Sequence, residues 1–123
     1  MRPHKKLIAW QEAIILVDIL YSLTEIFPPK EQFGIISQIR RAAVSVPTNI
    51  AEGAARNTRK EFIQFLYISQ GSLSELDTLL TISLNLKYIK QLDFDLCIEK
   101  MNRISAFANG LIKKLKAENK ALT

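Results

Sequence analysis

The chain is short of the residues that most chemistry needs: its 123 residues include one cysteine, one histidine, one tryptophan, four glycines and four prolines. A lone Cys97 excludes an internal disulfide, and with only His4 beside it no HExxH motif or Cys/His zinc set can form. No cofactor or metal is expected, and a reducing, cytoplasmic setting is. So few turn residues argue against the short strands of a sandwich or barrel, and no GxGxxG or GxxxxGK[ST] is present to cradle a nucleotide phosphate. Arg2, Lys5 and Lys6 precede an apolar stretch, but Gln11, Glu12 and Asp18 break it before it can serve as a signal peptide. No segment approaches the ~20 apolar residues that span a bilayer, so no membrane partner is expected.

What remains is an ordinary globular mixture, 48% hydrophobic and 24% charged, of a length that one core can serve. Apolar spacing favours helix throughout, over residues 6–27, 31–56, 59–88 and 94–117. The first helix carries a stripe of Leu7, Trp10, Ile14, Val17, Tyr21 and Thr24 and stops at Pro28-Pro29. The second carries Ile36, Ile39, Ala43, Val46, Ile50 and Gly53, whose small members allow close approach. Thr58-Arg59-Lys60-Glu61 reads as a capping box that opens the third helix, which continues through Phe62, Phe65, Leu66, Leu73, Leu76 and Leu80. The fourth starts near Asp93 as N-cap and carries Cys97, Met101, Ile104, Ala108, Leu111 and Leu115 at heptad spacing. The tail from residue 117 is polar and expected to fray. Short links force antiparallel neighbours, so the expected fold is all-α: a single-domain, up-down-up-down four-helix bundle with left-handed packing.

Pro47 breaks the pattern. Inside a helix it removes one ladder hydrogen bond, frees the Ala43 carbonyl and costs ~3 kcal/mol, so a kink is expected there. The run around it, Ser45 to Gly53, is small and polar for the middle of a bundle.

That run lies within residues 38–53, QIRRAAVSVPTNIAEG, which closely resemble the hallmark segment of the 23S ribosomal RNA intervening-sequence proteins, small bacterial four-helix proteins. The likeness continues in Trp10-Gln11 with Ala13, Phe27-Pro28, Glu31, Phe33-Gly34, Arg56, Phe62, Phe65-Leu66, Gly71-Ser72 and Glu75-Leu76, covering about residues 7–90. The fourth helix fits by pattern alone. The resemblance implies a bundle that assembles into a homopentameric ring, in a family whose activity is largely unestablished. A related branch, the accessory variability proteins of diversity-generating retroelements, is similar in fold: basic pentamers that bind a reverse transcriptase and nucleic acid.

The formal net charge is +5, with no block of like charge along the chain. Up-down topology nevertheless gathers Arg2, Lys5, Lys6, Arg56, Arg59, Lys60, Lys113, Lys114, Lys116 and Lys120 at one end, ten of the seventeen basic residues. Acids there are Glu52, Glu61 and Glu118. The opposite end sets Lys30, Lys87 and Lys90 against Glu25, Glu31, Asp93 and Asp95. A basic end attracts phosphates through counterion release, largely independent of sequence. The competing reading is a solvated helix terminus whose lysines merely complement the dipole.

The hallmark's polar residues divide similarly. Arg40 and Arg41 could grip a phosphate, but an interface ion pair with Glu52, Glu75 or Asp77 of a neighbouring chain is favoured. Asn49 and Glu52 are expected to satisfy the kink or set subunit registry, together with Ser45, Pro47 and Gly53. Trp10 and Tyr67 are the candidates for base stacking, with a packed role favoured for Trp10. Cys97 reads as an inert core residue, His4 as a surface one. Paired carboxylates match no di-iron pattern. Apolar residues off the main seams (Ile15, Ile19, Ile26, Ile63, Ile68, Ile82, Ile98 and Phe107) exceed what one core needs and point to assembly. The expected function is a non-enzymatic, cytoplasmic homo-oligomer that offers its basic end to RNA or DNA. The alternative is a structural or protein-interaction adaptor with no nucleic acid.

Overall fold

The computed structural model describes residues 2–122, with side chains as far as Asn119. Four helices carry the fold: α1 (Ile8–Thr24), α2 (Ile35–Ala54), α3 (Arg59–Asn85) and α4 (Gln91–Leu122). Short 3₁₀ turns occupy Pro3–Lys6 and Pro29–Glu31, and no strand occurs among the described residues.

Each boundary has a local cause. Both 3₁₀ turns begin at a proline, whose fixed φ suits a first helical position. They shorten α1 and α2 at positions where the sequence predicts continuous helix from 6 and from 31. Gly34 precedes α2. At α3 the capping box forms in half: the Glu61 amide donates to Thr58 Oγ1 at 3.1 Å. The Thr58 hydroxyl in turn donates to the Glu61 carboxylate at 3.0 Å. The helix stops at Asn85, short of the expected 88, because Lys87 turns left-handed with φ 64°. The Tyr88 amide then reaches the Ser83 carbonyl at 2.8 Å and the Lys87 amide reaches Leu84 at 3.0 Å, a Schellman closure. Helix α4 starts before Asp93, which sits in its first turn rather than capping it, and continues to Leu122 where fraying was expected.

The helices pack around a square in chain order, α1 on α2, α2 on α3, α3 on α4 and α4 on α1. Contacts run in opposite order along every pair, through cross-helix bonds on α2–α3 and α3–α4 and through shared groove linings on the two pairs that involve α1, so all neighbours are antiparallel. Ser72 and Ser45 share a hydrogen bond at 2.8 Å, and Ser69 Oγ donates to the Val46 carbonyl at 2.9 Å. Nearer the α2–α3 turn, a Cβ on Gly53 would lie 2.8 Å from Phe65 Cβ. Gln70 on α3 donates to the Ser105 carbonyl and to Asn109, and Arg59 meets Glu118 at 3.1 Å. Glu12 on α1 takes Lys100 at 2.7 Å and Arg103 at 2.9 Å from α4.

Leu16, Leu20, Ile39, Ile50, Leu66, Leu76, Leu80 and Ile104 are fully buried at the centre, and each contributes ~1.5–3 kcal/mol by leaving water. The seam expected for α2 stands; on α3 Leu66, Leu73, Leu76 and Leu80 are buried with Phe62 and Phe65 partly so, and α4 matches save that Ile112 is buried and Leu111 partly so. The seam expected for α1 does not. Its core face is Ala9, Ala13, Leu16, Leu20 and Thr24, while Ile14 and Tyr21 lie exposed and Trp10 and Val17 are half-buried. Of the apolar residues off the seams, Ile19, Ile63, Ile98 and Phe107 pack against the core, whereas Ile15, Ile26, Ile68 and Ile82 stay exposed.

Candidate nucleic-acid interface

Topology brings the basic residues to one pole along three surfaces. Arg56 and Arg59, on either side of the α2–α3 turn, line a hollow of about 480 Å³ with Asn57, Thr58, Phe62 and Asn119. Lys6 and Lys114 line another of about 390 Å³ where the start of α1 meets α4 at Phe107 and Gly110. Arg2 and Arg56 share the end of a third, larger groove. Lys5, Lys60 and Lys113 are exposed on the same turns. The side chain of Lys120 lies outside the described residues. The start of α1 is level with Gly110 and that of α3 with Glu118, so the cations are staggered over ~12 Å at 1.5 Å per residue.

Not all of this charge is available. Arg56 binds Glu52 at 3.2 Å, one helical turn back, and stacks 4.8 Å over the Phe65 ring. Arg59 is held by Glu118. Both pairs are exposed and worth at most ~1 kcal/mol, so a phosphate could displace the carboxylates. Lys116 Nζ stands 5.4 Å from the centre of the half-exposed Tyr67 ring. Among the described residues, Lys5, Lys6, Lys60, Lys113 and Lys114 make no ion pair, and they supply the open part of the field.

Most hallmark residues bond within the chain. Arg40 donates through Nε to Thr24 Oγ1 at 2.9 Å and through Nη2 to the Tyr21 carbonyl at 3.3 Å. It also reaches Glu25 at 3.5 Å and stacks 4.5 Å over Tyr21. It therefore caps the C-terminal turn of its own α1, a favourable place for a cation. Arg41, next to it, is exposed. Thr24 is buried, and its hydroxyl donates to the Leu20 carbonyl at 2.7 Å. Asn49 Nδ2 donates to both the carbonyl and hydroxyl oxygens of Ser45, at 2.8 and 2.9 Å. The Thr48 hydroxyl donates to the Val44 carbonyl at 2.7 Å. These bonds lie beside Pro47, which the helix passes without a break. Glu52 serves Arg56 in its own helix, and Gly53 admits α3.

Sequence reasoning missed a groove of about 670 Å³ between α1 and α2, floored by Trp10, Ile14, Val17, Val44, Pro47 and Ala51. Its signal was the second apolar stripe of α1, which was assigned to the core. His4, expected on the surface, is half-buried with its ring edge-on to Trp10, centroids 4.9 Å apart. Cys97 is fully buried, and burial pushes its thiol up to about 11, so it is a protonated core side chain near neutral pH.

Fold and charge together define a small basic four-helix protein. The chain belongs to the 23S rRNA-intervening sequence protein family, whose profile matches residues 5–110. The match stops before Lys113, Lys114 and Lys116. Among solved structures, a protein of unknown function from the S23 ribosomal protein family of Bacteroides thetaiotaomicron superposes with a TM-score of 0.78 at 20% identity. The alignment covers 86% of this chain and 96% of that one, and it shows the shared fold. No curated protein matches the sequence. No helix among the described residues is long and apolar enough to cross a membrane.

Proposed function

We propose that this protein is a non-enzymatic, cytoplasmic homo-oligomer, a pentamer by its resemblance, that presents its basic pole to RNA or another nucleic-acid-containing partner. The observation that carries the reading is the gathering of Lys5, Lys6, Lys60, Lys113 and Lys114 on adjoining turns with no carboxylate partner among the described residues. Lysines so placed act as point charges on phosphates, and binding follows counterion release rather than base readout. Tyr67 beneath Lys116 is half-exposed and can stack on a base. In a ring with parallel axes, symmetry repeats the pole on one face and multiplies its field.

The test is RNA binding at ~50 mM salt by the wild type and by a variant with Lys113, Lys114 and Lys116 all changed to Glu. Wild-type affinity should fall steeply with salt, and the variant should lose at least tenfold and show a shallower slope, by ~0.7 per lost phosphate contact on single strands. Equal binding by both proteins would falsify the pole as the site. The second reading, a protein-interaction adaptor, draws on the exposed apolar side chains, and binding to no RNA at all would favour it.

A further inference from the structure

Two surfaces of this chain complement each other in shape, polarity and height. The first is the α1–α2 groove. Val44 joins it to an adjacent hollow of about 470 Å³ formed with Tyr21, Phe33 and Ile36 and flanked by Arg40 and Arg41. Phe33 there is 93% exposed. This face is apolar along its floor, with Arg41, unpaired among the described residues, at one end and Arg2 beside the Arg56–Glu52 pair at the other.

The second surface is the outer face of the first turns of α4. Leu92 and Leu96, four residues apart, are 78% and 55% exposed. Asp95 and Glu99 are exposed on the same face at helical spacing, Asp95 also accepting from Gln91 at 2.8 Å. It is an apolar ridge edged with negative charge, in a chain whose net charge is +5.

Heights match as well. Lys100 and Arg103 meet Glu12, so antiparallel packing puts Leu96 and Leu92 one and two turns further along, level with the last turns of α1. Arg40 touches Tyr21 and Thr24, which fixes the hollow at that same level. We propose that the groove and hollow of one copy receive the Leu92–Leu96 ridge of a second copy, side by side with parallel axes and no axial shift. The proposal rests on the homo-oligomer reading above and adds which surfaces meet. The contact is head-to-tail: each chain offers one groove and one ridge, so it repeats from copy to copy and leaves every basic pole on one face. Apolar residues at its centre and, at its rim, Asp95 within about a turn of the level of Arg41 are the anatomy of a stable interface.

The head-to-tail geometry has a decisive test. Val44→Glu disables the groove and Leu96→Glu the ridge; both positions are exposed, so helix content by circular dichroism should match the wild type. By light scattering at micromolar concentration, the wild type should be oligomeric and each variant should fall to the mass of one chain. An equimolar mixture should return the mass of two chains, because one intact groove meets one intact ridge and growth stops. If the wild type assembles and Leu96→Glu assembles equally well, or if the mixture stays at one chain, these are not the surfaces that meet, although the oligomer stands. A monomeric wild type overturns both.

Discussion

Gly53 shows what a single side chain decides. A methyl group there would lie 2.8 Å from Phe65 Cβ and 3.2 Å from the Phe62 carbonyl oxygen, and the carbonyl, being backbone of α3, cannot swing aside. Gly53→Ala should therefore destabilise the fold by ~1–3 kcal/mol despite its better helix propensity, since overpacking outweighs the ~1 kcal/mol that Ala gains over Gly. A chemical denaturation midpoint that rises would show that α2 and α3 separate freely. The need for small residues here was legible, because Gly and Ala recur on the apolar stripe of α2. The Thr58–Glu61 cap was legible for a related reason: its partners are three residues apart and need no tertiary structure. Arg40 was not. Its acceptors, Thr24 and the Tyr21 carbonyl, lie on another helix, and a long side chain with five donors finds whichever acceptors packing provides.

Helix α1 shows the same limit at the scale of an element. The α2 stripe is unambiguous because the opposite face carries Ser37, Arg41, Thr48 and Glu52. Residues 14–17 of α1 are all apolar, so two stripes one residue, about a quarter turn, apart both fit a 3.6 period. What decides is bulk: Ala9 and Ala13 let α1 approach its neighbours, and Trp10 is displaced to the groove. Orientation is then fixed by Glu12, which braces α1 to α4. The Lys100 ammonium, followed by Arg103, holds its carboxyl below the ordinary value near 4.5. A depressed folded value means that the brace contributes fully above the unfolded pKa and is lost as pH falls through the folded one. Glu12→Gln should lower the thermal midpoint at neutral pH and flatten its decline between pH 5 and 3. Parallel wild-type and variant curves across that range would show that the pair does not couple to folding.

For the whole molecule, the up-down path matters more than the amount of charge. The four-helix architecture could be read from periodicity and short links, and the basic pole followed from it. The partial neutralisation of that pole could not be read in full, because Arg59 meets Glu118 only once α3 and α4 are side by side. Net charge alone would attract a polyanion diffusely, whereas the poles of this bundle differ. Lys30, Lys87 and Lys90 are exposed at the end opposite the basic pole. Changing all three to Glu shifts the formal net charge from +5 to −1, the same shift that Lys113, Lys114 and Lys116 to Glu produces. The Debye length is about 10 Å at 0.1 M salt, so charges at the far end are screened from a ligand at the basic pole. At that salt the far-end triple should keep RNA affinity within about threefold of the wild type while the α4 triple loses at least tenfold. As salt is lowered and the Debye length grows towards the length of the bundle, the far-end triple should begin to lose affinity too. Equal losses at 0.1 M would mean that total charge, rather than its placement by the fold, draws the nucleic acid.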